Sequence, residues 1–434
     1  MKKRMYKIMA LAMTAAMVVP MAAQTTAFAA DDKEITYWNI AVESPDKDIV
    51  TAAVDKFNKE TESGYTVNQV AIQNDTYKEK LVIAMSSGEC PDMYSSWSGG
   101  PMYEYIDSGF AQPIDDLLDQ SDVKDKLLDA AIEQGSYNGH VYAIPYLNVS
   151  LAGIFYNKDM FEQYGLEEPK TLADLENICA TLKRKTELHL FALANGSKWT
   201  GSMYFMSLAA RYGGLEPFQN AVAGTGKFTD DCFIKAGEKI QEWVNNGYFP
   251  DGVNSLSEDD GQAKQLMYQE TAGMLLCGSW YTGTFQTDSE EFYQKIGWFP
   301  FPAIDDSDAD PTIQIGTVGD QFISFNCEGD KLAAAFECAT DHLSDEVADI
   351  TYSNNKIVPV KDAGDHISDP VVKEIFDAAQ EASSIQLWYD QYLPTSVATA
   401  HLDGLQGSIW SDKDSSGSTG RNAESNGRIF KYQI

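Results

Sequence analysis

The 434-residue sequence predicts an α/β fold with two lobes that are joined more than once. Strand and helix patterns alternate through the N-terminal part of the chain, which indicates a parallel sheet covered by helices. The chain is also too long for one small core and suits two. Three extended segments that contain proline, residues 143–146, 296–302 and 356–360, are spaced along the chain. Each could pass from one lobe to the other.

The first 29 residues have the pattern of a cleavable signal peptide. Four basic residues precede an uncharged apolar run, and Ala27-Phe28-Ala29 provides small residues at a cleavage site. An uncleaved membrane anchor is the alternative, but the run is short for a membrane span. The first cysteine is Cys90, so no lipidation cysteine follows the cleavage site. We therefore expect an exported protein that is extracellular, at the cell surface or periplasmic.

The composition is strongly acidic, with 65 Asp and Glu, 32 Lys and Arg, and a formal net charge of −33 at pH 7. This charge argues against nucleic acids and anionic polymers as ligands and fits a neutral or cationic one. The six cysteines show neither CxxC pairing nor zinc spacing. Their even number permits disulfides, but four lie in apolar patterns, which favours mostly free thiols.

The elements of the first lobe follow from the periodicity of apolar residues. The predicted elements are strands at Ile35–Ile40, Val67–Ile72 and Met93–Trp97, and helices from about Asp46 and over Tyr77–Ser87. Parallel sheets of this kind bind ligands at the carboxyl ends of their strands. Trp38, Asn74 and Trp97 fall at or just beyond those ends and are therefore candidate ligand-binding residues.

The passage out of the first lobe is predicted within Gly139–Met160. Apolar alternation around Pro145 indicates an extended segment, because proline is excluded from central strands and keeps its neighbours extended. A second apolar run, Leu151–Tyr156, then ends in Asn157-Lys158-Asp159, a turn or helix start. A connecting loop with a buried tyrosine would give a similar pattern.

The second half of the chain contains further helices and one buried strand. Thr171 is a predicted N-cap with Asp174 at the capping-box position. The remaining predictions are a helix at Thr229–Asn246, a strand at Ala272–Leu276, a helix carrying Leu332 to Leu343, and a helix opened by Pro370. Residues 411–434 are rich in Ser, Gly, Asp and Asn without apolar periodicity, so we expect a disordered tail.

The tryptophans divide between core and ligand roles. Trp243 and Trp298 lie inside apolar patterns, which favours burial, whereas Trp97 and Trp280 follow strand ends beside Gly and Ser, which favours ligand contact. For the other three candidate tryptophans, at 38, 199 and 388, their own surroundings leave both roles open. Asp320 could accept hydrogen bonds from hydroxyl groups of a ligand or could be an ordinary turn residue.

The sequence contains no motif that indicates catalysis or a metal site. The acidic pairs Asp115-Asp116 and Asp259-Asp260 are typical of solvated helix caps. HExxH and GxSxG motifs are absent, and Gly224-Thr225-Gly226-Lys227 lacks the Ser or Thr and the spacing of a phosphate loop.

An ordered set of segments resembles family 1 extracellular solute-binding proteins of ABC transporters, the maltose- and multiple-sugar-binding group. The segments are KEKLVIAMSSGECPDMY (78–94), YNGHVYAIPY (137–146), GIFYNKDMFEQYGLEEPKTLADL (153–175), AGMLLCGSW (272–280), IGWFPFP (296–302), the 316–325 strand and KIVPV (356–360). They run in the family's order to about residue 405.

This resemblance implies a two-lobed periplasmic-binding-protein type II fold, with three crossing segments and a central ligand cleft. The implied division is a signal peptide (1–29), an N-terminal lobe (30–145 plus 303–358), a C-terminal lobe (146–302 plus 359–410) and a tail (411–434). It also implies that Trp280 stacks on a sugar ring. The ligand-binding candidates are Trp38, Asn39, Asn74, Trp97, Tyr146, Trp199, Trp280, Tyr281, Asp320, Trp388 and Tyr389.

The functional expectation is the substrate-binding component of an ABC importer. It would capture a neutral sugar or oligosaccharide by lobe closure and deliver it to a membrane permease, as a monomer without a cofactor, metal or nucleic acid. One alternative is a secreted carbohydrate-active enzyme with two cleft carboxylates. Another is a binder of a metal or charged small molecule, which would need a basic cleft or clustered Tyr and His that the sequence does not show.

Overall fold

The computed structural model describes residues 33–408, so the predicted signal peptide (1–29) and tail (411–434) lie outside the described residues. The strands are β1 (Glu34–Asn39), β2 (Thr66–Ala71), β3 (Met93–Ser96), β4 (Ser136–Tyr137), β5 (His140–Val141), β6 (Ala143–Tyr146), β7 (Ser150–Asn157), β8 (His189–Phe191), β9 (Ala272–Gly278), β10 (Ile296–Pro300), β11 (Gln314–Thr317), β12 (Gln321–Phe325) and β13 (Ile385–Gln386).

The helices cover the faces of the sheets formed by these strands. They are α1 (Asp46–Glu60), α2 (Asn74–Ser87), α3 (Gly100–Asp107), α4 (Asp115–Asp119), α5 (Val123–Lys126), α6 (Asp129–Gln134), α7 (Lys158–Tyr164), α8 (Leu172–Lys185), α9 (Trp199–Gly213), α10 (Glu216–Val222), α11 (Asp231–Asn245), α12 (Gln262–Tyr268), α13 (Tyr281–Asp288), α14 (Glu290–Tyr293), α15 (Gly329–Asp341), α16 (Asp345–Ser353), α17 (Pro370–Glu381), α18 (Tyr389–Tyr392) and α19 (Thr395–Ser408).

The first sheet has the strand order β2-β1-β3-β12-β6. Its N-terminal strands β1, β2 and β3 pair in parallel, as their alternation with helices predicts. Strand β12 returns from late in the chain and pairs antiparallel with both β3 and β6. We refer to this sheet with its helices as the first lobe.

The second sheet has the order β13-β11-β7-β9-β8, with β10 also paired to β7. Strand β7 lies at its centre and is buried along its whole length, which explains its continuous apolar run. The predicted capping box is confirmed, since Thr171 accepts from the Asp174 amide and Asp174 caps the Thr171 amide. This sheet with its helices is the second lobe.

Three connections between the two sheets meet at Asn148. The chain passes from β6 to β7 through residues 147–149 and from β11 to β12 through residues 318–320. The carbonyl of Asn148 accepts from the Asp320 amide at 2.6 Å, and its side-chain Oδ1 accepts from the Ile357 amide at 2.7 Å. Residues 356–360 therefore run beside the other two connections.

The segment 296–302 does not cross between the lobes. Its residues Ile296–Pro300 form β10 and pair antiparallel with residues 153–157 of β7, which corrects the interpretation of this segment as a crossing. Strand β11 also belongs to the second sheet, through its pairing with β7, although the predicted boundary at residue 303 assigns it to the first lobe. Backbone hydrogen bonding, rather than proline content, identifies the passage between sheets.

Other features of the core agree with the sequence. Trp243 and Trp298 are 1% and 2% exposed, and all six cysteines are free, five of them buried. Helix α9 has no counterpart among the predicted elements, because residues Thr200–Arg211 are buried on every side and leave no amphipathic pattern. No helix within residues 33–408 combines the length and apolarity that a bilayer span requires.

Candidate functional site

A cavity of about 250 Å³ lies between the two lobes and is lined by residues of both. The first lobe contributes residues that follow β1, β2 and β3, at the carboxyl ends of its parallel strands. The second lobe contributes the start of α9, the loop before α12 and the start of α13. This position agrees with the general location of ligand sites in open α/β sheets.

Three indole rings of the second lobe form one wall. The ring of Trp280 lies edge-on to Trp199 at 6.0 Å and to Trp388 at 5.8 Å between centroids. Trp280 follows the end of β9, and its ring folds back so closely over Gly278 that a Cβ there would lie 2.0 Å from the ring. Gly278 therefore allows the indole to take this position.

A fourth indole, Trp97, lines the cavity from the first lobe. It follows strand β3 and packs edge-on against Tyr77 at 5.8 Å. The ammonium group of Lys78 lies 4.6 Å from the centre of the indole ring, at cation–π distance. The cavity thus has a flat aromatic surface on each lobe.

Two carboxyl groups in the cavity wall have strongly raised pKa values. Removal from bulk water raises the pKa of Glu258 to about 7, although the hydrogen bond that Tyr281 donates to its carboxylate acts to lower the pKa. Removal from water likewise raises the pKa of Asp320 to about 7, although Lys356 opposes the shift. Both groups therefore change charge near neutral pH and can donate or accept hydrogen bonds there.

The lysines that line the cavity are already paired with carboxylates. Lys78 lies 3.5 Å from Asp390, and Lys264 lies 2.8 Å from Asp288 and 3.8 Å from Glu43. Positive charge in the wall is thus compensated by the protein itself.

The structure brings together seven of the eleven predicted site residues. Those that line the cavity are Asn74, Trp97, Trp199, Trp280, Tyr281, Asp320 and Trp388. Those that do not are Trp38, Asn39, Tyr146 and Tyr389. A role in ligand binding stays a prediction for every member of the set.

The four residues outside the cavity wall are held by other contacts. Trp38 packs with Tyr77 and accepts from its hydroxyl through the main chain, while fully buried Asn39 accepts from the Ala41 amide. Tyr389 is stacked on Phe218 at 3.8 Å between centroids. Position next to a strand end or next to a tryptophan of the cavity wall was therefore not enough to place these side chains in the cleft.

Tyr146 lies one layer behind the cavity. Its buried hydroxyl contacts Tyr37 at 3.3 Å and Ser95 at 2.9 Å, and donates to Oε1 of Gln321 at 2.9 Å. Gln321 lines the cavity, so this bond orients its amide with the nitrogen available for another partner. Tyr146 supports the site without forming its wall.

Several lining residues lack a sequence signal. Glu258, Asp259, Gln321 and Asp390 line the cavity, although no motif marks them. The interpretation of Asp259 as a solvated cap is wrong: it is half-buried and accepts from the Asp75 amide at 2.8 Å, across the cleft. Such contacts join residues far apart in the chain, which no local pattern reveals.

The described residues contain no group of three or more His, Cys, Asp or Glu side chains able to hold a metal ion. The residues that line the cavity offer aromatic stacking together with hydrogen bonding from carboxyl, amide and hydroxyl groups.

Comparison with known proteins identifies relatives that are described as binding proteins. An ABC transporter extracellular-binding protein of Pyrococcus horikoshii is 29% identical over 229 residues, which are 52% of this chain and 50% of that protein. The multiple sugar-binding protein of Streptococcus mutans is 30% identical over 179 residues, 38% of this chain and 39% of that protein. The chain thus spans about half the length, or less, of these curated relatives.

Solved structures extend the likeness over most of the chain. A protein from a study of xylan utilisation by the thermophilic bacterium Caldanaerobius polysaccharolyticus has a TM-score of 0.78 and 28% identity. The match covers 86% of this chain and 94% of that one. The expected two-lobed type II periplasmic-binding fold is thereby confirmed.

The family model described as bacterial extracellular solute-binding protein matches residues 41–340. This range includes the first sheet except β1, most of the second sheet and the greater part of the cavity wall. The chain therefore belongs to the bacterial extracellular solute-binding protein family, whose sugar-binding members serve ABC transporters and are not enzymes.

Proposed function

We propose that this protein is the substrate-binding component of an ABC importer and captures a neutral sugar or oligosaccharide between its lobes. The observation that carries the proposal is the cavity with four indole rings, three from one lobe and one from the other. Sugar rings have apolar C–H faces, and flat indoles bury such faces with little loss of side-chain entropy.

The polar groups of the wall support an uncharged ligand. Lys78 and Lys264 are engaged by carboxylates, so an anionic ligand would meet no free cation among the described lining residues. Glu258, Asp320 and Gln321 offer acceptors and a donor suited to hydroxyl groups. Any of these groups left without a partner in the closed site would cost about 1–3 kcal/mol, which makes the hydroxyl pattern the basis of selectivity.

Lobe closure is the proposed mechanism of capture. A ligand that touches Trp97 on one lobe and Trp280 on the other makes its full set of contacts only when the lobes are closed. It therefore shifts the equilibrium between open and closed states by its difference in affinity for them. A permease that binds the closed form would receive the sugar.

The predicted export signal indicates where the protein would act. The protein would act as a monomer outside the cytoplasmic membrane after removal of residues 1–29, with ABC permease subunits as partners. The sugar-binding relative from Streptococcus mutans and the structural neighbour linked to xylan utilisation support a carbohydrate ligand for this site.

The direct test is a thermal-shift screen with raffinose, maltotriose, cellotriose and xylotriose, followed by calorimetry on each sugar that raises the midpoint. A ligand that binds only the folded state stabilises it by about 2.7 kcal/mol at 100 times its Kd. Trp280→Ala should then weaken binding by about tenfold or more through loss of stacking. Trp243→Phe, a change in the core, should leave the affinity unaltered.

The same samples separate binding from catalysis. A binding protein returns each oligosaccharide intact, whereas an enzyme would release new reducing ends. Hydrolysis that is lost in Glu258→Gln or Asp320→Asn would contradict the proposal, as would the absence of binding across a broad panel of neutral sugars.

A further inference from the structure

The lobes also contact each other directly, beside the cavity, at a surface that we call the lobe seam. It consists of Gly99, Gly100 and Glu104 on the first lobe and residues 391–395 on the second. A Cβ on Gly99 would lie 2.3 Å from the carbonyl oxygen of Gln391, and one on Gly100 would lie 2.3 Å from that of Leu393. The two backbones therefore approach more closely than any side chain at these glycines would allow.

A charged group closes the same seam at its other end. The carboxylate of Glu104 accepts from the backbone amide of Thr395 at 3.0 Å and from its hydroxyl at 2.6 Å. Thr395 is the first residue of α19, so a side chain of the first lobe caps a helix of the second. Such a cap satisfies an amide that has no partner inside its own helix and suits the positive end of the helix dipole.

The segment opposite the glycines is part of the second lobe. Tyr389 stacks on Phe218, and His401 of α19 lies 2.7 Å from the hydroxyl of Ser202 in α9. Residues 391–395 therefore move with the second lobe, and their contacts with Gly99, Gly100 and Glu104 exist only while the lobes are together.

A second direct contact lies at Asp75, at the start of α2. Its amide donates to Asp259, and its carboxylate accepts from the hydroxyl of Ser197 and from the indole nitrogen of Trp199, the latter at 3.3 Å. Gly99, Gly100, Glu104 and Asp75 do not line the cavity. On the second lobe, Gln391, Trp199 and Asp259 do line the cavity, so each contact area borders the cavity wall through its second-lobe partner.

We propose that the lobe seam stabilises the closed state by itself, and that the missing side chain at Gly100 is what permits it. The protein then populates the closed state before any sugar binds, and residues that never touch the ligand help to set its affinity. A fall in the closed fraction raises the apparent Kd in proportion, so a tenfold smaller fraction would give an about tenfold higher Kd.

Gly100→Ala is a selective test, because Gly100 lies in the first turn of α3 and outside the left-handed region. Alanine fits a helix and should cost nothing when the lobes are apart, but its Cβ collides with Leu393 when they close. Gly407→Ala is the matched control, since a Cβ there would meet nothing within 4 Å.

The measurement is small-angle X-ray scattering of the ligand-free mature protein. Gly100→Ala should increase the radius of gyration, Glu104→Ala should change it in the same direction by less, and Gly407→Ala should match the wild type. If neither Gly100→Ala nor Glu104→Ala changes the scattering, the proposal is overturned. Should Gly100→Ala fail to fold, Glu104→Ala alone decides.

Because the scattering is recorded without sugar, this result does not depend on the proposed function. Where the thermal-shift screen identifies a sugar, Gly100→Ala should also raise its Kd while Gly407→Ala does not. An unchanged Kd in Gly100→Ala, together with unchanged scattering, would leave the sugar-binding proposal intact and refute the role of the seam.

Discussion

Individual side chains owe their properties in this protein mainly to their removal from water. Glu258 and Asp320 carry carboxyl groups with pKa values near 7 because the cavity separates them from bulk solvent. Trp280 and Trp243 have the same chemistry, yet one lines the cavity and the other is 1% exposed in the core. Residue type therefore limits what a position can do, and burial decides which of those roles it has.

The raised pKa values predict how stability depends on pH. The folded protein holds protons on Glu258 and Asp320 that the unfolded chain releases at lower pH, so their stabilisation is complete below about pH 4 and is lost as the pH rises through about 7. In the wild type, the free energy of unfolding should fall between pH 5 and 8 as these two groups lose their protons. We expect that fall to be smaller by about 1–3 kcal/mol in Glu258→Gln and in Asp320→Asn.

Denaturant unfolding of the ligand-free protein at several pH values measures this effect. Glu89→Gln, an exposed position outside the cavity wall, serves as the control and should reproduce the wild-type profile. If the free energy of unfolding depends on pH in the same way in the wild type and in both cavity variants, the raised pKa values of Glu258 and Asp320 are contradicted.

At the scale of elements, local signals and close packing act together. The capping box of α8 was evident from Thr171 and Asp174, whereas helix α9 gave no signal because it is buried on all sides. Strand β10 was mistaken for a crossing because Pro300 at its end and Pro302 beyond it mask a pairing with β7. A helix with a polar face can thus be recognised from periodicity, and a helix that is buried on all sides cannot.

The capping box should make a measurable contribution to stability. Thr171→Ala removes the hydroxyl that accepts from the Asp174 amide at 3.2 Å, and we expect a loss of about 1 kcal/mol in the free energy of unfolding. Thr181→Ala, inside the same helix, should not destabilise the protein, since alanine has the higher helix propensity. Equal effects of the two changes would show that the cap is unimportant.

The pairing of β7 with β10 depends on a glycine. A Cβ on Gly153 would lie 2.2 Å from the indole of Trp298, which covers this part of the strand. We expect Gly153→Ala to lower the free energy of unfolding by about 1–3 kcal/mol, as overpacking does in other cores. Thermal and denaturant unfolding both report this loss, and a midpoint equal to that of the wild type would argue against the placement of Trp298.

On the scale of the described residues 33–408, the two lobes share the junction at Asn148 and enclose the cavity. Asn148 is 1% exposed and bonds to both other connections, at Asp320 and Ile357. Rotation of one lobe against the other would therefore act on the hydrogen bonds of this junction. The junction and the lobe seam both join the two lobes, so we expect contacts outside the cavity to contribute to the proposed closure.

Loss of the Asn148 side chain should weaken this junction. In Asn148→Ala the buried amide of Ile357 loses its acceptor, and we expect the free energy of unfolding to fall by about 1–3 kcal/mol. Asn68→Ala, an exposed position on β2, should stay within about 0.5 kcal/mol of the wild type. Urea unfolding of the three proteins gives the comparison, and similar values for both variants would contradict a structural role for Asn148.

Much of the first lobe and part of the site could be predicted because their signals are local. Alternating periodicities identified β1, α1, β2, α2 and β3, and the ends of those strands pointed to Asn74 and Trp97. Tyr146 was misplaced by one layer, because alternation shows that neighbouring side chains face opposite ways but not which face is the cleft.

The sequence by itself determined the α/β class, the presence of two lobes and the family, since periodicity, length and ordered motifs depend on residues that are close in the chain. Only the tertiary structure decided which residues meet in the cavity and at the seam. Asp75 and Asp259, or Gly100 and Leu393, are far apart along the chain and come together only when two separate sheets pack against each other. Contacts of that kind depend on the folded geometry of both lobes, which no single stretch of sequence contains.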